Sequence, residues 1–124
     1  MAGKFVINKI RKNRYTFKLK AGNGEIIAVG QQYAAVEDCR AGVECLRCNA
    51  GAPIEDQTVR GCVVLPYPKY EIYRDAAGEF RFRLVIGEDQ IIATGEGYTA
   101  KASCLNGIAS IGRNAPDAPV AVEE

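Results

Sequence analysis

Two cysteines three residues apart, Cys45 and Cys48, enclose Leu46 and Arg47 in the most conspicuous chemical spacing of the chain. Such a thiol pair serves redox chemistry when it opens a helix, where the dipole stabilises the thiolate. It serves zinc when a second pair of ligands lies close. Here the helical pattern ends at the pair, so the dipole opposes ionisation, and only Cys39 and Cys62 remain in that half of the chain. Cys39 falls on an apolar stripe with Val43 and Leu46, which favours a packing role over a metal or thiol function. Cys104 is expected to act as a small buried hydrophobe. The chain has no histidine, which removes the commonest general base and every Ser-His or Cys-His pair. Gly22-Asn23-Gly24 and Gly95-Glu96-Gly97 are too short to cradle a phosphate, and neither nucleotide-binding glycine signature occurs. The expectation is a non-enzyme with no cofactor and no bound metal.

Charge offers a different chemistry. Sixteen basic residues nearly balance fifteen acidic ones, yet residues 1–24 contain seven basic side chains and no acid. Lys18 and Lys20 alternate with Phe17 and Leu19, as Arg81 and Arg83 alternate with Phe80, Phe82 and Leu84. If the apolar members face a core, Lys18, Lys20, Arg81 and Arg83 form a basic band on the opposite face, with Thr16 and Tyr73 nearby. Arg11, Lys12 and Arg14 extend it into the first turn. Such a surface would hold a phosphate backbone, with affinity that falls steeply with salt. The same face lacks the repeated aromatics on which sheet-based RNA binders stack bases, and basic residues also serve plain solubility on an open sheet.

The elements that position these residues come from a repeat. Shifting the chain by 65 residues aligns Lys4–Ala50 with Lys69–Ala115 without a gap. Identities include Lys4/Lys69, Phe17/Phe82, Leu19/Leu84, Gly30/Gly95, Tyr33/Tyr98, Cys39/Cys104, Gly42/Gly107 and Asn49/Asn114. One fixed offset over that length marks a tandem duplication. Carboxylate pairs do not recur at matched positions: Glu25 becomes Gln90 and Asp38 becomes Ser103, so an acid–base dyad is unsupported.

Within each unit, alternation over residues 4–8, 15–20, 69–73 and 80–85 predicts strands with one packed face. Third strands are expected at 25–29 and 90–94. Asn23-Gly24 signals a type I′ hairpin, because both residues tolerate positive φ. Helical spacing follows, with Cys39, Val43 and Leu46 on one face and Cys104, Ile108 and Ile111 on its counterpart. Thr99 is expected as an N-cap, and Asn49 and Asn114 as left-handed C-caps. Tyr33 and Tyr98, just before the helices, are expected to make staple-like contacts with the helix starts. Short strand-like tails at 54–59 and 120–123 complete a β-β-β-α-β unit, and Cys62–Leu65 would extend a strand.

The domain organisation is one domain over 1–124, with repeat one at 3–59, a linker at 60–68 and repeat two at 69–124. A three-stranded unit with one helix has a marginal core, and two units merging their sheets about a pseudo-twofold bury the shared edge. That arrangement predicts a monomer. Hydrophobic content of 48% and charged content of 25% suit an ordinary soluble protein. No apolar run approaches a signal sequence or the ~20 residues of a membrane span. With five cysteines in no framework spacing, a cytoplasmic location with reduced thiols is expected.

The repeats resemble the YegP-like family of small proteins of unknown function. The resemblance rests on Tyr70-Glu71-Ile72-Tyr73, Phe80-Arg81-Phe82-Arg83-Leu84, Gln90-Ile91-Ile92-Ala93, Gly97-Tyr98-Thr99-Ala100-Lys101-Ala102, Gly107-Ile108 and Asn114-Ala115-Pro116-Asp117. Unit one departs from the pattern at Asn8–Arg14 and at Cys45-Leu46-Arg47-Cys48. The resemblance implies an α+β fold in which two β-β-β-α-β repeats form a single, mainly antiparallel sheet with exchanged C-terminal strands, both helices lying on one face. It implies no activity, cofactor or catalytic residue. Three functions stand open: an interaction or scaffold protein, a nucleic-acid or polyanion binder, and a thiol or metal protein using Cys45 and Cys48. The partner, protein or nucleic acid, is not specified.

Overall fold

Alternation sets the strands and helical spacing the two helices between them. The computed structural model describes residues 3–123, so Glu124, assigned to repeat two, lies outside the described residues. The first unit comprises β1 (Lys4–Arg11), β2 (Arg14–Lys20), β3 (Ile26–Gly30), α1 (Val36–Asn49) and β4 (Ile54–Asp56). The second comprises β5 (Lys69–Arg74), β6 (Phe80–Gly87), β7 (Gln90–Thr94), α2 (Lys101–Asn114) and β8 (Val120–Glu123).

The described strands form one sheet in the order β4-β5-β6-β7-β3-β2-β1-β8. The units meet at β3 and β7, which pair antiparallel through Val29↔Thr94 and Gly30↔Ala93. β4 leaves its own unit and pairs parallel with β5, and β8 pairs parallel with β1. Each unit therefore completes the other's half of the sheet, and the parallel pairings bury two edges that would otherwise be free to associate.

One face of the sheet, the core face, carries Phe5, Ile7, Phe17 and Leu19 from unit one and Tyr70, Ile72, Phe82 and Leu84 from unit two. These join Cys39, Val43 and Leu46 of α1 and Cys104, Ile108 and Ile111 of α2 in a single buried cluster. Burying each large side chain contributes about 1.5–3 kcal/mol. The duplication is visible in ring geometry: Phe5 meets Phe17 edge-on at 6.0 Å between centroids, and Tyr70 meets Phe82 edge-on at 6.1 Å.

Gly42 and Gly107 sit inside helices, where glycine costs about 1 kcal/mol relative to alanine. The reason is steric. A Cβ on Gly42 would overlap Tyr33 Oη, and one on Gly107 would lie 2.7 Å from Tyr98 Oη. Each tyrosine thus lies across the middle of its helix. That is packing, though further along the helix than a staple contact at its first turn.

Several local expectations need correction. The loop after β2 has three residues, with Gly24 N–H donating to Ala21 O at 2.9 Å and Ala21 N–H donating to Glu25 O at 2.8 Å. Only Gly24 takes a positive φ (88°), so the loop is a type I turn closed by a left-handed glycine rather than a type I′ turn at Asn23-Gly24. The same bonding pattern recurs after β5, at Asp75–Glu79 with Gly78 at φ 81°. Thr99 is not the N-cap: Ala100 holds that position and offers no capping side chain. Asn49 and Asn114 are right-handed helical residues whose side-chain amides donate back to Cys45 O and Ser110 O, at 2.7 and 2.8 Å. The helix thereby satisfies its own carbonyls without a left-handed cap. The tail after α1 is a strand only over Ile54–Asp56, and Cys62–Leu65 forms no strand.

Candidate interaction surface

Pairing across the sheet fixes one row on the face opposite the core. It runs Glu55 (β4), Glu71 (β5), Arg83 (β6), Thr94 (β7), Val29 (β3), Lys18 (β2), Val6 (β1) and Ala121 (β8). The two units meet in this row between Thr94 and Val29, which are 65 residues apart, so the row compares them position by position. Arg83 matches Lys18, Glu71 matches Val6, and Glu55 matches Ala121.

In unit two the row is an ion network. Arg83 Nε donates to Glu71 Oε1 at 2.6 Å, and its guanidinium lies 4.4 Å from the Tyr73 ring centroid. Lys69 Nζ stands 3.4 Å from Glu71 Oε2 and 2.7 Å from Glu55 Oε1. Glu55 also accepts Leu65 N–H at 2.7 Å and the Gln57 amide at 2.8 Å. The Lys69 ammonium, the Gln57 amide and the Leu65 N–H together hold the Glu55 carboxyl down at about 2. Glu55 in turn raises the pKa of Lys69. The segment between the units is drawn over this corner, with the Tyr67 ring 4.9 Å from Lys69 Nζ.

In unit one Lys4, the repeat mate of the buried Lys69, is exposed. It pairs across strands with Lys20, and Lys18 pairs with Val6. Among the described residues, no carboxylate comes within ion-pair distance of Lys4, Lys18 or Lys20. Arg11, Lys12 and Arg14 are exposed at the β1–β2 hairpin, whose two-residue loop places Asn13 at φ 59°.

The four-residue basic band therefore does not exist as a continuous surface. Lys18 and Arg83 share a row but stand three strand steps apart, about 14 Å. Arg81 is engaged by Asp75 at 2.6 Å, and this bond to Arg81 holds the Asp75 carboxyl below its ordinary range. The unengaged part is Lys4, Lys18 and Lys20 with the hairpin arginines and Lys12. The acids Glu55 and Glu71, with Lys69 paired to both, are not signalled by alternation. The available signal was the replacement of Val6 by Glu71 at the 65-residue offset.

The thiols do not assemble. Cys48 is exposed and Cys45 half-buried in the last turns of α1, Cys62 lies between the units, and Cys39 and Cys104 are buried. Burial pushes the Cys39 and Cys104 thiols up to about 11. Among the described residues no three Cys, Asp or Glu side chains group as metal ligands, and no helix is long and apolar enough to cross a membrane.

A family model described as "Domain of unknown function (DUF1508)" matches the chain twice, over residues 11–56 and 75–121. The "UPF0339 protein in ptx operon 5'region" of Stutzerimonas stutzeri is 32% identical, over 97% of this chain and 96% of that protein. The UPF0339 protein YegP of Escherichia coli K12 is also 32% identical, over 92% of this chain and 91% of its own length. A UPF0339 protein of Treponema denticola is 56% identical over 52 residues, 42% of this chain and 90% of that protein. The solution NMR structure of E. coli yegP, a protein of unknown function, aligns with a TM-score of 0.79 at 31% identity, covering 99% of this chain and 94% of that one.

Proposed function

We propose a function from the premise that this chain belongs to the DUF1508 family, a domain of unknown function present here in two copies: it is a non-enzymatic, monomeric interaction module that holds a polyanion on the open sheet face of its first repeat. Both helices lie on the core face in this reading, which leaves the other face to a partner. One observation carries it. The positions that supply Glu71 and Glu55 to the network of repeat two are Val6 and Ala121 in repeat one, so among the described residues Lys4, Lys18 and Lys20 have no carboxylate within ion-pair distance. Val6 itself is 1% exposed, while Lys4 is exposed and Lys18 and Lys20 are half-buried. The exposed basic hairpin extends the same field.

The favoured partner is the phosphate backbone of a nucleic acid, read without regard to sequence. Among the described residues, this face of repeat one has no aromatic side chain on which to stack a base. Non-enzymatic action is favoured by the high pKa of the buried thiols and by the absence of histidine. A cytoplasmic setting suits reduced cysteines.

The test is fluorescence anisotropy with labelled single-stranded RNA, single-stranded DNA and duplex DNA. Three phosphate contacts correspond to a roughly 40-fold loss of affinity between about 50 and 200 mM salt. Lys18→Ala with Lys20→Ala should remove most of that dependence, whereas Arg83→Ala should leave it unchanged. Absence of binding at the lower salt, or equal binding by the double variant, would sink the proposal.

A further inference from the structure

A second feature lies on the other side of the molecule and does not depend on the basic face. A cleft of about 800 Å³ opens between the Ala21–Glu25 turn and α2, within the usual size of a small-molecule site. Ser103, Asn106, Ser110 and Arg113 are three, four and three residues apart, so they share one helix face, and all four line the cleft. Tyr98 lies among them because Gly107 lets its ring rest on the helix. Among the described residues, Tyr98 Oη, the side chains of Ser103 and Asn106, and the Arg113 guanidinium have no protein hydrogen-bond or ion-pair partner. Among the described residues, Glu25 is the only carboxylate in the lining.

We propose that this cleft binds one small, polyhydroxylated anion of the sugar-phosphate class. A guanidinium offers a planar fork that matches phosphate oxygens. Serine, asparagine and tyrosine side chains both donate to and accept from ligand hydroxyls. Glu25 accepts from hydroxyls and repels a bare phosphate, so the anion and the hydroxyls must arrive on the same molecule. The duplication does not produce a second site. In repeat one the matched positions are Asp38, Ala41, Cys45 and Cys48, which replace the guanidinium by a thiol, the amide by a methyl group and a hydroxyl by a carboxylate. The facing loop there is the two-residue Glu88-Asp89 turn instead of the three-residue Gly22-Asn23-Gly24 loop.

The experiment is an NMR titration of the amide resonances with glucose 6-phosphate, alongside glucose and inorganic phosphate. The expected result is saturable shifts at Asn106, Gly107 and Arg113, one ligand per chain, with a Kd of about 1 mM or tighter. Arg113 is exposed, so Arg113→Ala should keep the fold and weaken binding about tenfold or more. Asn106→Ala should also weaken it, while Arg40→Ala on α1 should not. No saturable shift up to about 10 mM, unaltered affinity in Arg113→Ala, or equal affinity for inorganic phosphate alone would each overturn the proposal.

Discussion

Lys69 Nζ lies 2.7 Å from Glu55 Oε1, and both side chains are closed off from solvent on the sheet face opposite Tyr70 and Ile72. The pair joins the last strand of one repeat to the first strand of the next. It also anchors the intervening segment, since the same oxygen accepts Leu65 N–H.

Removing the carboxylate should therefore cost far more than losing a surface charge. Glu55→Ala leaves the Lys69 ammonium in a covered site with Glu71, 3.4 Å away, as its remaining partner. The expected destabilisation is about 3 kcal/mol, read as a lower urea midpoint with an unchanged slope. A loss under about 0.5 kcal/mol would show that the pair is solvated in solution.

The acid dependence of stability follows from the same group. Glu55 has its pKa lowered from 4.5 to about 2 in the folded chain. A depressed carboxylate contributes stability that is fully present above its unfolded value and is lost as pH falls through its folded value. The Glu55 contribution should thus be complete above pH 4.5 and decline steadily between 4.5 and 2, with Asp75 contributing in the same sense through Arg81. Glu55→Gln should flatten that decline in urea titrations repeated across the acid range.

Gly42→Ala should destabilise the protein although alanine is the better helix former. The added methyl group meets Tyr33 Oη, and overpacking of this kind costs about 1–3 kcal/mol. Combining it with Tyr33→Leu should cost less than the sum of the two single changes in thermal denaturation. Strict additivity would mean that the ring and the helix are not in contact.

Val6→Glu copies into repeat one the acid that neutralises Arg83 in repeat two. The introduced carboxylate faces Lys18 across β1 and β2. The fold should be retained, and the salt slope for nucleic-acid binding should fall by about one. An unchanged slope with an intact circular dichroism spectrum would place the phosphate contacts elsewhere.

Thiol labelling should follow burial. With iodoacetamide at neutral pH, Cys48 should be modified first, and Cys39 and Cys104 should stay protected until the chain unfolds, because their thiols are buried and raised to about 11. Peptide mass spectrometry resolves the order.

Strand alternation and helix stripes are local periodicities, and the 65-residue offset repeats them. The core face, the helices and the duplication were therefore legible in the order of residues alone. Turn type was less so. The two units carry the same two loops in exchanged positions, two residues long at Lys12-Asn13 and Glu88-Asp89, and three long at Gly22-Asn23-Gly24 and Ala76-Ala77-Gly78. Asn23-Gly24 suits more than one of these geometries, and strand register decided between them.

The electrostatic character of each half needed the tertiary fold. Alternation correctly turns Arg83 away from the core, but it is silent on whether that charge is free. Its neutralisation depends on Glu71 standing opposite across β5 and β6, and the covering of the corner depends on β4 crossing to pair with β5. A strand has side chains that point out at every second position whatever lies beside it. Only the pairing of strands distant in the chain brings Glu55, Lys69, Glu71 and Arg83 within bonding distance, while leaving Lys4, Lys18 and Lys20 beside Val6 and Ala121.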